Sequence, residues 1–426
     1  MASSIIIIGA GVSGLLAARR LGEAGFIVTV LEGSAQPGGR IMTITEGFSS
    51  IVEGGAEFIH GELPLSLQLA KEAGLALQPV NGHMVRLQKG RHLGDSGDNA
   101  FLGGDWGELL EKMEGLEQDM AVDLFMGEYF GGERYEALRE SVFRFAEGYD
   151  LADIRRVSTR ALYNEWAREG EDEEYRLEGG YRGLVDFLVK ECLRLGCRFC
   201  FSSRVRSVSW EPGKVECVAV SGERYTASGL IVTASLGVLQ AGQLRFSPAV
   251  DGHMEAASRL GYGSVVKILI EFRTTFWESA GQTLFVISEE DIPTWWTQPV
   301  EGSRLLTGWL AGGRMQAFLR LGEAQRVDAC LRSLAHIFSM DMEALRKEVV
   351  ALRIVDWAAH PYVLGGYSYD TVGAADARAQ LSASVEGTIW FAGEALYEGI
   401  APGTVEAALT SGQEVAEKII ARPGPR

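Results

Sequence analysis

The sequence predicts an α/β fold built on a Rossmann-type parallel sheet, and three observations near the N-terminus carry that prediction. Ser4–Ile8 is a short β-branched run closing on glycine, the pattern of a strand buried on both faces. Leu15, Leu16, Ala17, Leu21 and Ala24 then recur at helical spacing until Gly25. Residues 26–31 form a second apolar run that ends on Glu32. Between the first strand and the helix lies Gly9-Ala10-Gly11-Val12-Ser13-Gly14, a G-x-G-x-x-G, and Glu32 follows its third glycine by 18 residues. Strand, fingerprint, helix, strand and acid in this order make a dinucleotide-binding βαβ unit.

Each part has a physical task. Gly9 makes the tight turn, Gly11 lets backbone approach a pyrophosphate, and Gly14 lets helix and sheet pack closely. The helix start at Val12 and Ser13 offers free N–H groups and the positive end of the dipole to phosphate. Glu32 is expected to accept hydrogen bonds from the adenosine ribose. The fingerprint alone does not choose between NAD and FAD. Pro37-Gly38-Gly39-Arg40 bears on the choice: Gly39 and its neighbour let the chain wrap back along an extended dinucleotide, and Arg40 can pair with the pyrophosphate as a planar fork. A nicotinamide cofactor that dissociates needs no such second clamp. A flavin held permanently does, so FAD is expected.

Composition bounds the rest. The 426 residues suggest about two or three domains, and 46% hydrophobic with 23% charged residues is a globular balance. Lys and Arg total 40 against 57 Asp and Glu, a net charge of −17, which argues against nucleic-acid binding because phosphate needs a basic face. Glycine, at 53 copies, exceeds the usual ~7% and implies many tight turns. Five cysteines form no disulfide framework, and the lone Cys197-Arg198-Phe199-Cys200 lacks the second pair of a zinc ribbon. Six scattered histidines include no H-E-x-x-H, so no metal site is expected. No apolar run spans a membrane, residues 5–8 are too short for a signal peptide, and residues 423–426 carry no lipidation or peroxisomal tag. A cytoplasmic location is the expectation.

Beyond the fingerprint, Glu53-Gly54-Gly55-Ala56-Glu57-Phe58-Ile59-His60-Gly61, Glu178-Gly179-Gly180-Tyr181 and Val232-Thr233-Ala234-Ser235-Leu236-Gly237-Val238-Leu239 appear in order. Lys267, Trp357, Gly365-Gly366-Tyr367-Ser368-Tyr369, Phe391-Ala392-Gly393-Glu394 and Pro402-Gly403-Thr404-Val405-Glu406 follow. With these motifs the chain resembles, nearly end to end, the flavin-containing amine oxidase family of monoamine oxidases, polyamine oxidases and lysine-specific histone demethylases. The resemblance implies a discontinuous FAD-binding domain at about residues 1–85, 200–255 and 380–420. An interleaved α+β substrate-binding domain would take 86–199 and 256–379. Strands are expected at 198–208, 230–234 and Val265–Phe272, and a closing helix at 404–420.

The reaction implied is oxidation of a C–N bond: hydride passes from the amine-bearing carbon to flavin N5, the imine hydrolyses, and O2 takes the electrons to give H2O2. Lys267 matches the family lysine that holds a water at N5, although by strand pattern alone a lysine would face solvent. Trp357 matches a tryptophan beside the isoalloxazine. Glu394 matches a glutamate at the ribityl–pyrophosphate region, and Gly393, Gly403, Thr404 and Val405 lie where backbone meets the flavin. Gly55, Ala56 and Glu57 are expected at the cofactor, and Val205 at the adenine.

Departures from the family are informative. Tyr367 stands where monoamine oxidases attach flavin through cysteine, so FAD is expected to be non-covalent. Ser368 and Thr404 replace the two tyrosines of the monoamine oxidase cage and, with Tyr367, are expected in the substrate pocket. Ser34 and Gln36 replace arginines near the ribose acid. Phe58-Ile59-His60-Gly61 resembles the W-I-H-G of polyamine oxidases, which places Phe58 and His60 on the substrate side; amino-acid oxidases usually carry arginine at the position of Phe58. The acidic run 169–174 reads as a solvated face, with steering of a polycation as a second reading. Trp295 and Trp296 could line a cavity or pack in a core. No long helical insertion would dock a chromatin partner, which argues against a histone demethylase. The expected substrate is a primary or secondary amine, a class that includes polyamines. A desaturase or oxidase of the same fold acting on a non-amine, an L-amino-acid oxidase, and a flavin-binding protein without turnover are the alternatives.

Overall fold

The computed structural model describes residues 3–80, 82–95, 105–167, 173–277, 283–298 and 302–422. Three elements open the chain: β1 (Ser4–Ile8), α1 (Val12–Glu23) and β2 (Ile27–Leu31). They belong to a five-stranded, all-parallel sheet with the order Arg198–Cys200, β2, β1, Gly229–Val232, Ile389–Phe391. Ile5 to Ile7 and Leu230 to Val232 are almost fully buried, as a sheet covered on both faces requires. On one face pack α1, the Arg182–Arg194 helix and the closing helix Val405–Ile420. On the other lie Val208, Val215 and Cys217 of a four-stranded sheet and the helices Asp251–Arg259 and Ala374–Ser382.

A seven-stranded mixed sheet forms the second body. Its order is Val349–Asp356, Val265–Phe272, Leu305–Ala311, Thr294–Thr297, Thr283–Ile287, Gly82–Gln88, Arg91–Asp95. Every residue of Val265–Phe272 is buried, and Lys267 lies opposite Trp309 on one neighbour and Val355 on the other. A helical cluster around Phe125, Phe130, Val142 and Trp166 flanks it.

Three expectations change. The 198–208 stretch is two strands in different sheets, Arg198–Cys200 and Val205–Glu211, because the chain turns between them with Ser202 at φ 52°. The nucleotide-binding core reaches back before residue 200: the Arg182–Arg194 helix and Cys197 are part of it. Residues 82–85 leave that core for the seven-stranded sheet. The closing helix starts at Val405, with Thr404 as its N-cap. No described helix is long and apolar enough to cross a membrane, and no described His, Cys, Asp or Glu group could hold a metal ion. All five cysteines are free thiols.

Candidate active site

One continuous cavity of about 1890 Å³ runs from the carboxyl ends of β1 and β2 to the second sheet. It is larger than an ordinary small-ligand site of about 300–1,000 Å³ and can hold an extended dinucleotide together with a substrate. Its first half is the glycine cradle. A Cβ on Gly9, at φ 109°, would stand 2.5 Å from Thr233 Oγ1, and one on Gly14 would stand 2.1 Å from the Gly9 carbonyl. Only glycine fits either place. The second glycine pair lies against the first: Gly38 N donates to Ala10 O at 2.9 Å, and Gly11 bridges Gly38.

Polar groups of this half fit a dinucleotide. Ser13 Oγ lines the cavity, is buried, and has no hydrogen-bond partner among the described residues, and the first N–H groups of α1 have no helical carbonyl to reach. Both are unsatisfied donors where phosphate is expected. Glu32 is held rigidly, accepting from Ala10 N at 2.7 Å and Ser34 N at 2.7 Å; burial raises its pKa against those two bonds. Val205 lines the same end. At Gln36, Oε1 accepts from Arg182 Nη1 at 3.2 Å, so a cation from a distant helix stands where the local one is missing.

Arg40 and Glu394 both line the cavity, but they are paired to each other at 2.7 Å. Arg40 also donates to Gly366 O at 2.9 Å. The second Glu394 oxygen accepts from Ser368 Oγ at 2.6 Å. The Ser368 hydroxyl is thus spent on Glu394, and Ser368 is absent from the cavity lining; its expected place in the substrate pocket is corrected. Gly393, Gly403, Thr404 and Val405 line the cavity. The Thr404 hydroxyl caps the closing helix, accepting from Ala407 N at 3.2 Å and donating to Ala401 O at 2.7 Å, so little of it remains for a substrate.

The second half is an aromatic chamber. Lys267 is 1% exposed, which overturns the solvent-facing pattern of a strand lysine. Its Nζ donates to Glu57 Oε2 at 2.6 Å and to Gly55 O at 3.0 Å, and lies 5.5 Å from the Trp296 ring centroid. Glu57, expected at the cofactor, lines the cavity beside Gly55 and Ala56 and is held by several protein groups. Trp296 Nε1 and Gln298 Nε2 donate to its Oε1 at 3.2 and 3.1 Å, and Arg176 Nη2 stands 2.6 Å from the same oxygen. The Arg176 contact lies outside hydrogen-bond alignment and is Coulombic. Burial works to raise the Glu57 carboxyl, but Arg176 and Lys267 outweigh it and hold it down to about 2.

Trp357 is buried and fixed by Nε1 donating to Gly54 O at 2.9 Å, and it lines the cavity with Gly55, Ala56 and Lys267. Tyr367 lies 6.5 Å from Trp309, nearly parallel, and its hydroxyl donates to Tyr149 O. Trp309 continues to Trp296 at 6.2 Å, and Trp296 to Phe58 at 5.9 Å. Tyr367, Trp309, Trp296 and Phe58 thus form a run of neighbouring rings along the chamber. Trp296 lines the chamber, whereas Trp295 is core, donating to Ile292 O at 3.0 Å. His60 stands at the cavity edge, 42% exposed, its Nδ1 2.8 Å from Glu174 Oε1. Of the acidic run, 169–172 lies outside the described residues; Glu173 and Glu174 line the cavity beside His60.

A glycine cradle shaped for a dinucleotide opens into an aromatic chamber that holds the buried Lys267, the arrangement of a flavin-binding fold. Residues 12–420 match the family model of flavin containing amine oxidoreductases, and the chain belongs to that family, with FAD as its cofactor. It is 26% identical to human lysine-specific histone demethylase 2 over 98% of this chain and 53% of that protein. It is also 26% identical to polyamine oxidase 4 of Oryza sativa subsp. japonica, over 99% of this chain and 90% of that one. The chain thus spans about half the length of the demethylase. Among solved structures, wild-type putrescine oxidase bound to putrescine superposes with a TM-score of 0.82 at 20% identity, covering 99% of this chain and 100% of that one; at that identity the likeness is one of fold.

Proposed function

We propose that the chain is an FAD-dependent oxidase of primary or secondary amines, with a diamine or polyamine as the favoured substrate class. The observation that carries the reading is Lys267: a buried, fully oriented ammonium in an aromatic chamber continuous with the dinucleotide cradle. FAD held by the cradle of Gly9, Gly11, Gly14 and Glu32 would supply the hydride-accepting chemistry and its reoxidation by O2. The chain's own residues supply orientation and dryness. An alkylammonium, with a pKa near ~10.4 in water, must lose its proton before it can give up hydride, and a chamber walled by Trp296, Trp309, Trp357 and Tyr367 disfavours the cation. Two of the three Lys267 N–H bonds are taken by Glu57 and Gly55, which leaves one to hold a water in the cavity.

The polyamine oxidase and the putrescine complex support a substrate with more than one amine, as do Glu165, Glu173 and Glu174 on the cavity wall. The amino-acid oxidase alternative lacks support: the buried Arg176 and Lys267 are committed to Glu57, and Phe58 offers no charge. Aerobic incubation with putrescine, spermidine and simple monoamines is expected to release H2O2 and aldehyde in equal amounts; absence of peroxide with every amine contradicts the reading. The side chain at position 367 is a tyrosine engaged with Tyr149, so acid precipitation is expected to leave the yellow colour in the supernatant. Colour retained in the pellet would show a covalent link.

A further inference from the structure

Lys267 does not stand alone. Behind it lies a buried trio of two cations and one carboxylate: Lys267, Glu57 and Arg176, with side chains 2%, 5% and 7% exposed. Glu57 comes from the loop before Ile59–His60, Arg176 from the strand Glu174–Leu177 that pairs with it, and Lys267 from the other sheet. Burying a charge costs several kcal/mol unless its partners are well placed. A neutral ion pair would need only Lys267 and Glu57. Here Arg176 is added, stacked 4.5 Å from the Phe58 ring centroid and bonded to Gln298 Oε1 at 2.6 Å. Glu57 Oε1 already takes Trp296 and Gln298, so Oε2 is the oxygen left to Lys267.

Building on the amine-oxidase reading, we infer that Glu57 and Arg176 are positioning residues for Lys267. Glu57 fixes the ammonium in one place, and Arg176 leaves the trio with a net positive charge against the chamber. That charge stabilises the electron density gained when the flavin is reduced, because a fixed cation acts strongly in a dry site. Glu57 therefore works through Lys267, whereas Arg176 sets the sign of the field.

The test combines a double-mutant cycle with a potential. Glu57→Gln is expected to slow anaerobic flavin reduction by an amine at least about tenfold, and to change it less than about twofold when Lys267 is already Met. Equal slowing in both backgrounds would overturn the inference. The flavin midpoint potential, read by stepwise chemical reduction without any amine, is expected to fall in Arg176→Gln, to stay at the wild-type value in Arg176→Lys, and not to fall in Glu57→Gln. An unchanged potential in Arg176→Gln, or an equal fall in both neutral variants, would overturn it. If no amine reduces the wild type, the functional reading fails, while the potentials still decide the electrostatic claim.

Discussion

Glu53 and Glu57 sit on one short stretch of chain, and their surroundings shift them in opposite directions. Glu57, between two cations, is held down to about 2; Glu53 is pushed up to about 7 by burial, which outweighs hydrogen bonds from Tyr181 N and Thr43 Oγ1. For Glu57 the folded value lies below the unfolded one, so its stabilisation is full above about pH 4.5 and is lost as pH falls toward about 2. For Glu53 the sign reverses: the fold prefers the protonated acid, and stability declines as pH rises from about 4.5 through about 7. Glu53→Gln should remove that decline. Thermal melts of the holoprotein are expected to show little difference near pH 4 and a higher midpoint for the variant near pH 8; parallel curves would contradict this. The sequence exposes Lys267 as a charge inside an apolar strand, but not its partners. Arg176 and Trp296, on strands, and Gln298, just past the end of one, reach Glu57 from more than a hundred residues away, and no local pattern carries that.

At the scale of elements, the crossing of α1 and the closing helix holds the cradle in shape. A Cβ on Gly412 would stand 2.1 Å from the backbone oxygen of Ser13, at the residue whose hydroxyl is left for phosphate. Gly412→Ala must therefore push the helices apart. A loss of about 1–3 kcal/mol and weaker FAD retention are expected, measured by denaturant unfolding and by flavin content after gel filtration; full retention at wild-type stability would contradict the packing argument. The βαβ unit and the closing helix were legible from apolar spacing, because their periodicity is local. The split of 198–208 shows locally only as the polar triplet Ser202-Ser203-Arg204; that the turn at Ser202 passes the chain from one sheet to another is set by tertiary pairing. The run of neighbouring rings was also out of reach, since Trp309 and Tyr367 meet only through sheet register and tertiary packing.

Over the whole molecule, charge and cavity act together. The chain carries −17 overall, and Glu165, Glu173 and Glu174 line the cavity that a substrate must cross. Such a field raises encounter rates for cations and is screened by salt. Raising ionic strength from about 0.02 to about 0.3 M should lower kcat/KM for a diamine more than for a monoamine, seen in initial rates; equal sensitivity would argue against steering. One measurement reaches the central claim directly: anaerobic mixing of the yellow holoprotein with putrescine, spermidine and a panel of monoamines, followed at the flavin absorbance. Bleaching by at least one amine, with colour restored by air and with reduction markedly slowed in Lys267→Met, is the predicted result. Flavin that stays oxidised with every amine would contradict the account.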